Sequence, residues 1–394
     1  NPLPFHLMNL LLIFGIGILV YLLARIMLGS EVAAVVSFLI YIISSVHNIE
    51  LYYLASVQTL LSTLFVTLSF FFYLNRKIFF SLILFLIALL CHESTVVLPV
   101  ILFLAEITFL KKDVKRILSF FLILIIYLIL ALTLTNIPGQ AVYQPVLSIK
   151  SLLNGLGWYV LWSFGLPEIM VDFVGPGLHL NPNFLKWYGD YIKVSLPFLL
   201  IIFSLLAASL LFFWKKVTKG TFIFLVGSFV ISILPFIFFP QHKFVYYLEL
   251  ASVWFSISLA LLISNFINSK ILSKIFFLMS LFSLIVVYKN TNNLNGITYW
   301  AAKRALAAKV LLENVGRSYP TAASGTIFYF TDDPNYPSIS KEWGTSSKQA
   351  FYILSGSDAL QLFYKDQTIK VYYQSIGEPP DFGKIISLTA KFPY

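Results

Sequence analysis

"IFFSLILFLIALLCHESTVVLPVILFLAEITFLKKDVKRILSFFLILIIYLILALTLT", residues 78–135, contains three apolar stretches, 78–91, 94–110 and 117–135. They are parted first by Cys91, His92 and Glu93 and then by a basic run that holds Lys111, Lys112, Lys115 and Arg116. A helix needs about 20 apolar residues to cross roughly 30 Å of hydrocarbon. In lipid every backbone N–H and C=O must find its partner within the segment, which only a helix or a closed barrel allows. The stretch therefore reads as helices running back and forth through a bilayer, and it sets the fold class for the whole chain.

The rest of the sequence agrees. Of 394 residues, 59% are hydrophobic and 11% charged, and the mean hydropathy of +0.87 lies far above that of soluble globular domains. Further apolar stretches fall near 5–24, 32–45, 58–74, 194–214, 221–239, 247–266 and 271–288, which makes about ten spans. Two of them, 32–45 and 78–91, are short and need extension by polar turns or shielding by neighbours. Residues 1–288 hold 16 Lys/Arg and 9 Asp/Glu, whereas 289–394 hold 11 and 8 in about a third of the length. A multi-spanning membrane domain, 1–288, is therefore expected before a small α/β domain, 289–394. The latter reads as a helix near 297–315, a strand at "GTIFYFTDD", a helix near 346–364 and a strand at "IKVYYQS".

Orientation follows from the basic residues of short loops. Arg25, Arg76–Lys77, Lys111–Arg116, Lys215–Lys219 and Lys270–Lys274 occupy every second loop and mark these as cytoplasmic. The alternate loops, near 46–57, 91–93 and 240–246, hold one basic residue, Lys243. The net charge of +10 is thus a topology signal rather than a nucleic-acid footprint. The outer loop 136–193 includes 147–167, which reads as an interfacial helix anchored by Trp158, Tyr159 and Trp162 at headgroup depth. The carboxy-terminal domain is expected on the outer, extracytoplasmic side. The single Cys91 excludes an intrachain disulfide and a cysteine zinc cluster. No basic leader region precedes the first helix, and the chain, beginning at Asn1, is expected to be the remainder of a longer one.

On this topology all five histidines, His6, His47, His92, His179 and His242, map to the outer half or outer loops, as do Glu50, Glu93, Glu168, Asp172, Lys243 and Glu249. Ionisable groups in or near a membrane are costly and usually face a cavity or a partner. His92–Glu93 reads either as a solvated helix-capping turn or as a cavity group. His47 and Glu50, at i and i+3, could share a proton or a metal, and His242–Lys243 could meet a lipid phosphate. The cytoplasmic loops are short and carry no Gly-rich phosphate loop, so chemistry is expected outside.

Several segments resemble the multi-spanning GT-C-type glycosyltransferases related to protein O-mannosyltransferases and their bacterial relatives. They are "NPLPFHLMNLLLIFGIGILVYLLARIMLG" (1–29), "NIELYYLASVQTLLSTLFVTLSFFFYL" (48–74), "LLCHESTVVLPVILFLAEI" (89–107) and "QHKFVYYLELASVWFSISLALLI" (241–263). The tail, from "RALAAKVLLENV" through "GTIFYFTDDPN", is similar to the extracytoplasmic end of bacterial members. The resemblance implies a bacterial inner-membrane enzyme that moves a sugar from a polyprenyl-phosphate donor to a protein, lipid or glycan acceptor, with no nucleic-acid partner and with metal dependence that varies across the class. It places Glu50 on the family's outer-loop Glu, Glu93 on the Glu of a Lys-Glu pair, and Lys243 on an Arg. It implies that Glu50 and Glu93 position the sugar or hold a divalent metal, and that Lys243, with His242 or His92, holds the leaving phosphate. Trp158 and Trp162 could border the lipid's path or stack on sugar. The departures are His92 where Lys is usual, Leu54 for Trp, Gln58 for Arg, and Tyr247–Leu248 for Leu-Pro. The family's catalytic acid lies in a first outer loop ahead of the opening segment, so the catalytic residue is not assigned. A polyprenyl-linked polysaccharide polymerase or ligase, a transporter and a non-catalytic scaffold are the alternatives.

Overall fold

The computed structural model describes residues 3–110, 113–134, 144–175, 179–213, 218–267, 271–336, 344–380 and 384–392. The chain divides into two compact units, 1–296 and 297–394.

The first unit is almost wholly helical. Its helices are α1 (Leu3–Leu28), α2 (Glu31–Ile43), α3 (Asn48–Tyr52), α4 (Val57–Leu74), α5 (Ile78–Cys91), α6 (Leu98–Thr108), α7 (Leu118–Leu134), α8 (Ile149–Ser163), α9 (Pro182–Phe213), α10 (Lys219–Ile237), α11 (Glu249–Ser264) and α12 (Ile271–Thr298). A two-residue hairpin, β1 (Val174–Gly175) with β2 (His179–Leu180), precedes α9. The described parts of all ten apolar stretches are largely helical, but among the described residues eight helical segments, counted across short 3-10 turns, are long and apolar enough to cross a membrane. The other two are α5, with 14 residues, and α6, with 11. At 1.5 Å per residue these reach about 21 and 17 Å, short of the hydrocarbon thickness. His92 ends α5 in an extended conformation, and Pro99 opens α6, so the two cannot fuse into one longer helix.

The stretch 32–45 is lengthened instead. Ser44 turns the backbone out of the helix (ψ 137°) and caps a short turn, Ser45–His47, which leads into α3, so a 22-residue segment runs from Glu31 to Tyr52. This break puts His47 and Glu50 inside the bundle rather than in an exposed loop: both are buried. At the centre lies α11, packed against α2, α4 and α10. Its Trp254 meets Phe70 of α4 and Phe224 of α10 at ring separations of 5.1 and 5.5 Å.

The second unit contains α13 (Trp300–Ser318), β3 (Ile327–Thr331), α14 (Ser346–Leu354), α15 (Asp358–Tyr364), β4 (Lys370–Tyr373) and β5 (Ile385–Thr389). The sheet is parallel in the order β4-β3-β5. Two features differ from expectation. The single helix near 346–364 breaks at Ser355 and Gly356, both with positive φ, and "IISLT" adds a third strand. Helix α12 runs on through Lys289, so the rise in charge begins within a helix.

Candidate functional site

Short polar segments converge at one end of the first unit: Ser44–Tyr52, the His92–Val97 turn, Glu168–Phe173 and Val245–Glu249. At their heart Glu249, the first residue of α11, is buried and accepts from two groups. Tyr41 Oη donates to its Oε1 at 2.5 Å, and His47 Nδ1 lies 2.9 Å from its Oε2. The other ring nitrogen of His47 is 2.6 Å from the Tyr41 carbonyl. Since that carbonyl can only accept, His47 Nε2 donates, and one proton lies between Nδ1 and Oε2 whichever group holds it.

Glu50 is different. It is fully buried, its backbone carbonyl accepts from Asn9 Nδ2 at 2.8 Å, and neither carboxylate oxygen has a hydrogen-bond partner among the described residues. It lies within electrostatic range of Glu249 and Glu168. A buried carboxylate without a partner is costly to keep charged, so such a group calls for a donor from outside the protein or for a proton of its own. The i, i+3 pairing of His47 with Glu50 is therefore not made: His47 turns to Glu249 across the bundle. Among the described residues no group of three His, Cys, Asp or Glu side chains is placed to hold a metal.

Beside this cluster is a tight polar cleft. It is lined by Thr59, Ser62 and Thr63 on one face of α4, by His92 and Ser94, and by Ser232, Tyr246, Tyr247 and Glu249. Its free volume, about 10 Å³, is that of roughly one water molecule. His92 is buried, and its Nδ1 accepts from the Ser94 amide at 3.1 Å and meets Ser94 Oγ at 2.9 Å, so the ring proton sits on Nε2. Burial lowers the imidazole's affinity for a second proton, against the pull of the Glu93 carboxylate 3.8 Å away. The side chain of Glu93 itself is 77% exposed. His92 thus lines the cleft and caps the turn that follows, while Glu93 stands on its open side.

His242 and Lys243 are half-buried; the His242 ring is 5.9 Å from that of the cleft residue Tyr247, which stacks on Phe236 at 3.8 Å. Burial shifts both His242 and Lys243 toward their neutral forms. Trp158 and Trp162 require a correction. Neither is an exposed headgroup anchor; both are buried, as is Tyr159, because α8 packs tightly on α10, where a side chain at Gly155 would meet the Ile237 carbonyl at 3.0 Å.

Two carboxylates that the sequence places on the outer side without a role join the cluster. Glu249 is one, and the signal for it was its position at the head of a long apolar stretch. Glu168 is the other: its Oε2 accepts from the Val245 amide at 2.7 Å, which ties the Pro167–Phe173 segment to the turn that leads into α11. Burial, helped by nearby Asp172, pushes its carboxyl up to about 7 although the Val245 amide favours the charged form.

Comparison with protein-family models, with curated proteins and with solved structures finds no match. What fold and site define is a class: a mostly helical protein with eight candidate membrane spans, a small parallel α/β unit, and a buried polar cluster at one end of its helices.

Proposed function

We propose that this protein is a membrane glycosyltransferase that moves a sugar from a polyprenyl-phosphate donor to a protein, lipid or glycan acceptor at the extracytoplasmic face. The observation that carries the reading is Glu50, a buried carboxylate left without a protein partner beside the His47–Glu249 pair. Such a group is available to a substrate hydroxyl. The alternation of basic loops and the quoted segments supply the rest of the support. In this reading an acceptor oxygen attacks the anomeric carbon as the bond to the lipid phosphate breaks, and the acceptor proton passes to a carboxylate base. Glu50 orients sugar hydroxyls. Lys243, with His242 and His92, faces the departing phosphate with charge-assisted hydrogen bonds in a site of low dielectric. The cleft beside His92 has to open to admit a sugar, and the turn held by Glu168 is the segment that moves.

The test is transfer from a panel of radiolabelled polyprenyl-phosphate sugars by the purified protein, alongside Lys243→Ala. Turnover of one donor, lowered at least tenfold in the variant, supports the reading. No turnover across the panel, while a known polyprenyl-phosphate-sugar transferase works in parallel, removes it in favour of a polymerase or a non-catalytic role.

A further inference from the structure

A lateral groove of about 650 Å³ lies between α1, the Ile42–Leu51 stretch and α12. Its two halves differ in chemistry. Leu10, Phe14, Ile42 and Ile285 make an apolar wall, whereas Asn48, Lys289, Asn292 and Asn293 form a polar end on the side of the buried cluster. From Ile285 to Asn293 the α12 backbone rises about 12 Å, enough for several methylenes below a headgroup.

Two groups at the polar end are unspent. Lys289 is exposed and makes no ion pair among the described residues. The side-chain oxygen of Asn292 is buried with no donor, although its backbone carbonyl takes a hydrogen bond from Asn48 Nδ2 at 3.3 Å. An ammonium calls for an anion, an orphaned amide oxygen calls for a hydroxyl or N–H donor, and the apolar wall calls for a hydrocarbon chain. These three demands meet in one molecule.

We infer that the α1–α12 groove binds an anionic phospholipid with a hydroxyl-bearing headgroup, its phosphate on Lys289, a headgroup hydroxyl on Asn292 and a chain along Leu10, Phe14 and Ile285. His47 lines this groove while its partner Glu249 lines the polar cleft, so the pair forms the partition between the two. The inference does not depend on sugar transfer. The groove binds lipid whether or not the neighbouring cluster is catalytic.

Equilibrium binding of dioctanoyl phosphatidylglycerol to the purified protein in a neutral detergent tests it, with dioctanoyl phosphatidylcholine and glycerol 3-phosphate as parallel probes. Phosphatidylglycerol binds, phosphatidylcholine binds at least fivefold more weakly, and glycerol 3-phosphate, which lacks a chain, does not bind in the same range. Lys289→Gln, at an exposed position, weakens phosphatidylglycerol at least fivefold. Leu10→Trp, which fills the apolar wall, also weakens it and leaves Lys289 in place. Equal binding of the two lipids, equal binding of glycerol 3-phosphate, or full affinity in Lys289→Gln would overturn the assignment. Because no sugar is transferred in this measurement, its failure leaves the transferase reading standing, and the reverse holds as well.

Discussion

Glu106 and Glu50 are both buried carboxylates on helices of the same bundle, and they are treated in opposite ways. Glu106 sits near the far end of α6, where Tyr73 Oη donates to one oxygen at 2.7 Å and the Asp113 amide to the other at 3.0 Å. Each oxygen is matched. Glu50 has neither oxygen matched among the described residues. The contrast separates two reasons for placing a carboxylate in an apolar environment. One joins helix to loop with bonds that stabilise the fold; the other leaves acceptor capacity unused, which makes sense where something else supplies the donor.

The largest effect that could break this contrast lies between the two, at Glu249. Glu249→Ala strands His47 and Tyr41 inside the bundle, and loss of one partner of a buried pair costs about 3–5 kcal/mol. A drop of that size in the unfolding free energy of the detergent-solubilised protein, read from its chaotrope midpoint, is expected, and a midpoint within error of the parent would show that the pair does not hold the bundle together. Next comes Glu106→Ala. It leaves the Tyr73 hydroxyl and the Asp113 amide without an acceptor, for a loss of about 1–3 kcal/mol and no specific loss of any activity beyond that of unfolding.

The smallest effect, on the order of 1 kcal/mol once solvent screening of this half-buried group is allowed for, sits at Glu168. Its carboxyl is held at about 7 in the fold, above the roughly 4.3 of an unfolded chain. The folded protein therefore keeps a proton that the unfolded chain gives up between those values. Stability from this group is complete below about pH 4 and declines as pH rises to about 7, after which it is level. Glu168→Gln should flatten that portion of the stability profile, and an unchanged slope would show that the titration belongs elsewhere.

Much of this was legible in the sequence, for reasons that differ by element. Apolar length marks helices wherever lipid or the bundle core is the solvent, so the described part of every expected stretch proved largely helical. It is weaker on span count, because α5 and α6 stop short where His92 and Pro99 interrupt them. The His47–Glu50 pair illustrates the other limit. Spacing along a helix shows which residues are neighbours on one turn, but the backbone break at Ser44 sends His47 toward Glu249, 202 residues away in the chain. Long-range pairing of that kind leaves no local pattern. Nor did the aromatic run in α8 reveal which way its rings turn: Gly155 permits the close approach to α10 that buries them. The strand β5 was missed because "IISLT" lacks the aromatic residues that mark "IFYFT" and "KVYY" as strands.

The measurement that bears most directly on the central claim pairs sugar transfer with thermal unfolding in Glu50→Gln. The substitution keeps the shape of a buried side chain and replaces one of two carboxyl oxygens that have no partner among the described residues. At least a tenfold fall in transfer is expected, about 1.4 kcal/mol in the transition state, with an unfolding temperature equal to or above that of the parent. Full transfer by the variant, or a loss that merely tracks a lower unfolding temperature, would contradict it and put Glu50 with Glu106 among the structural carboxylates.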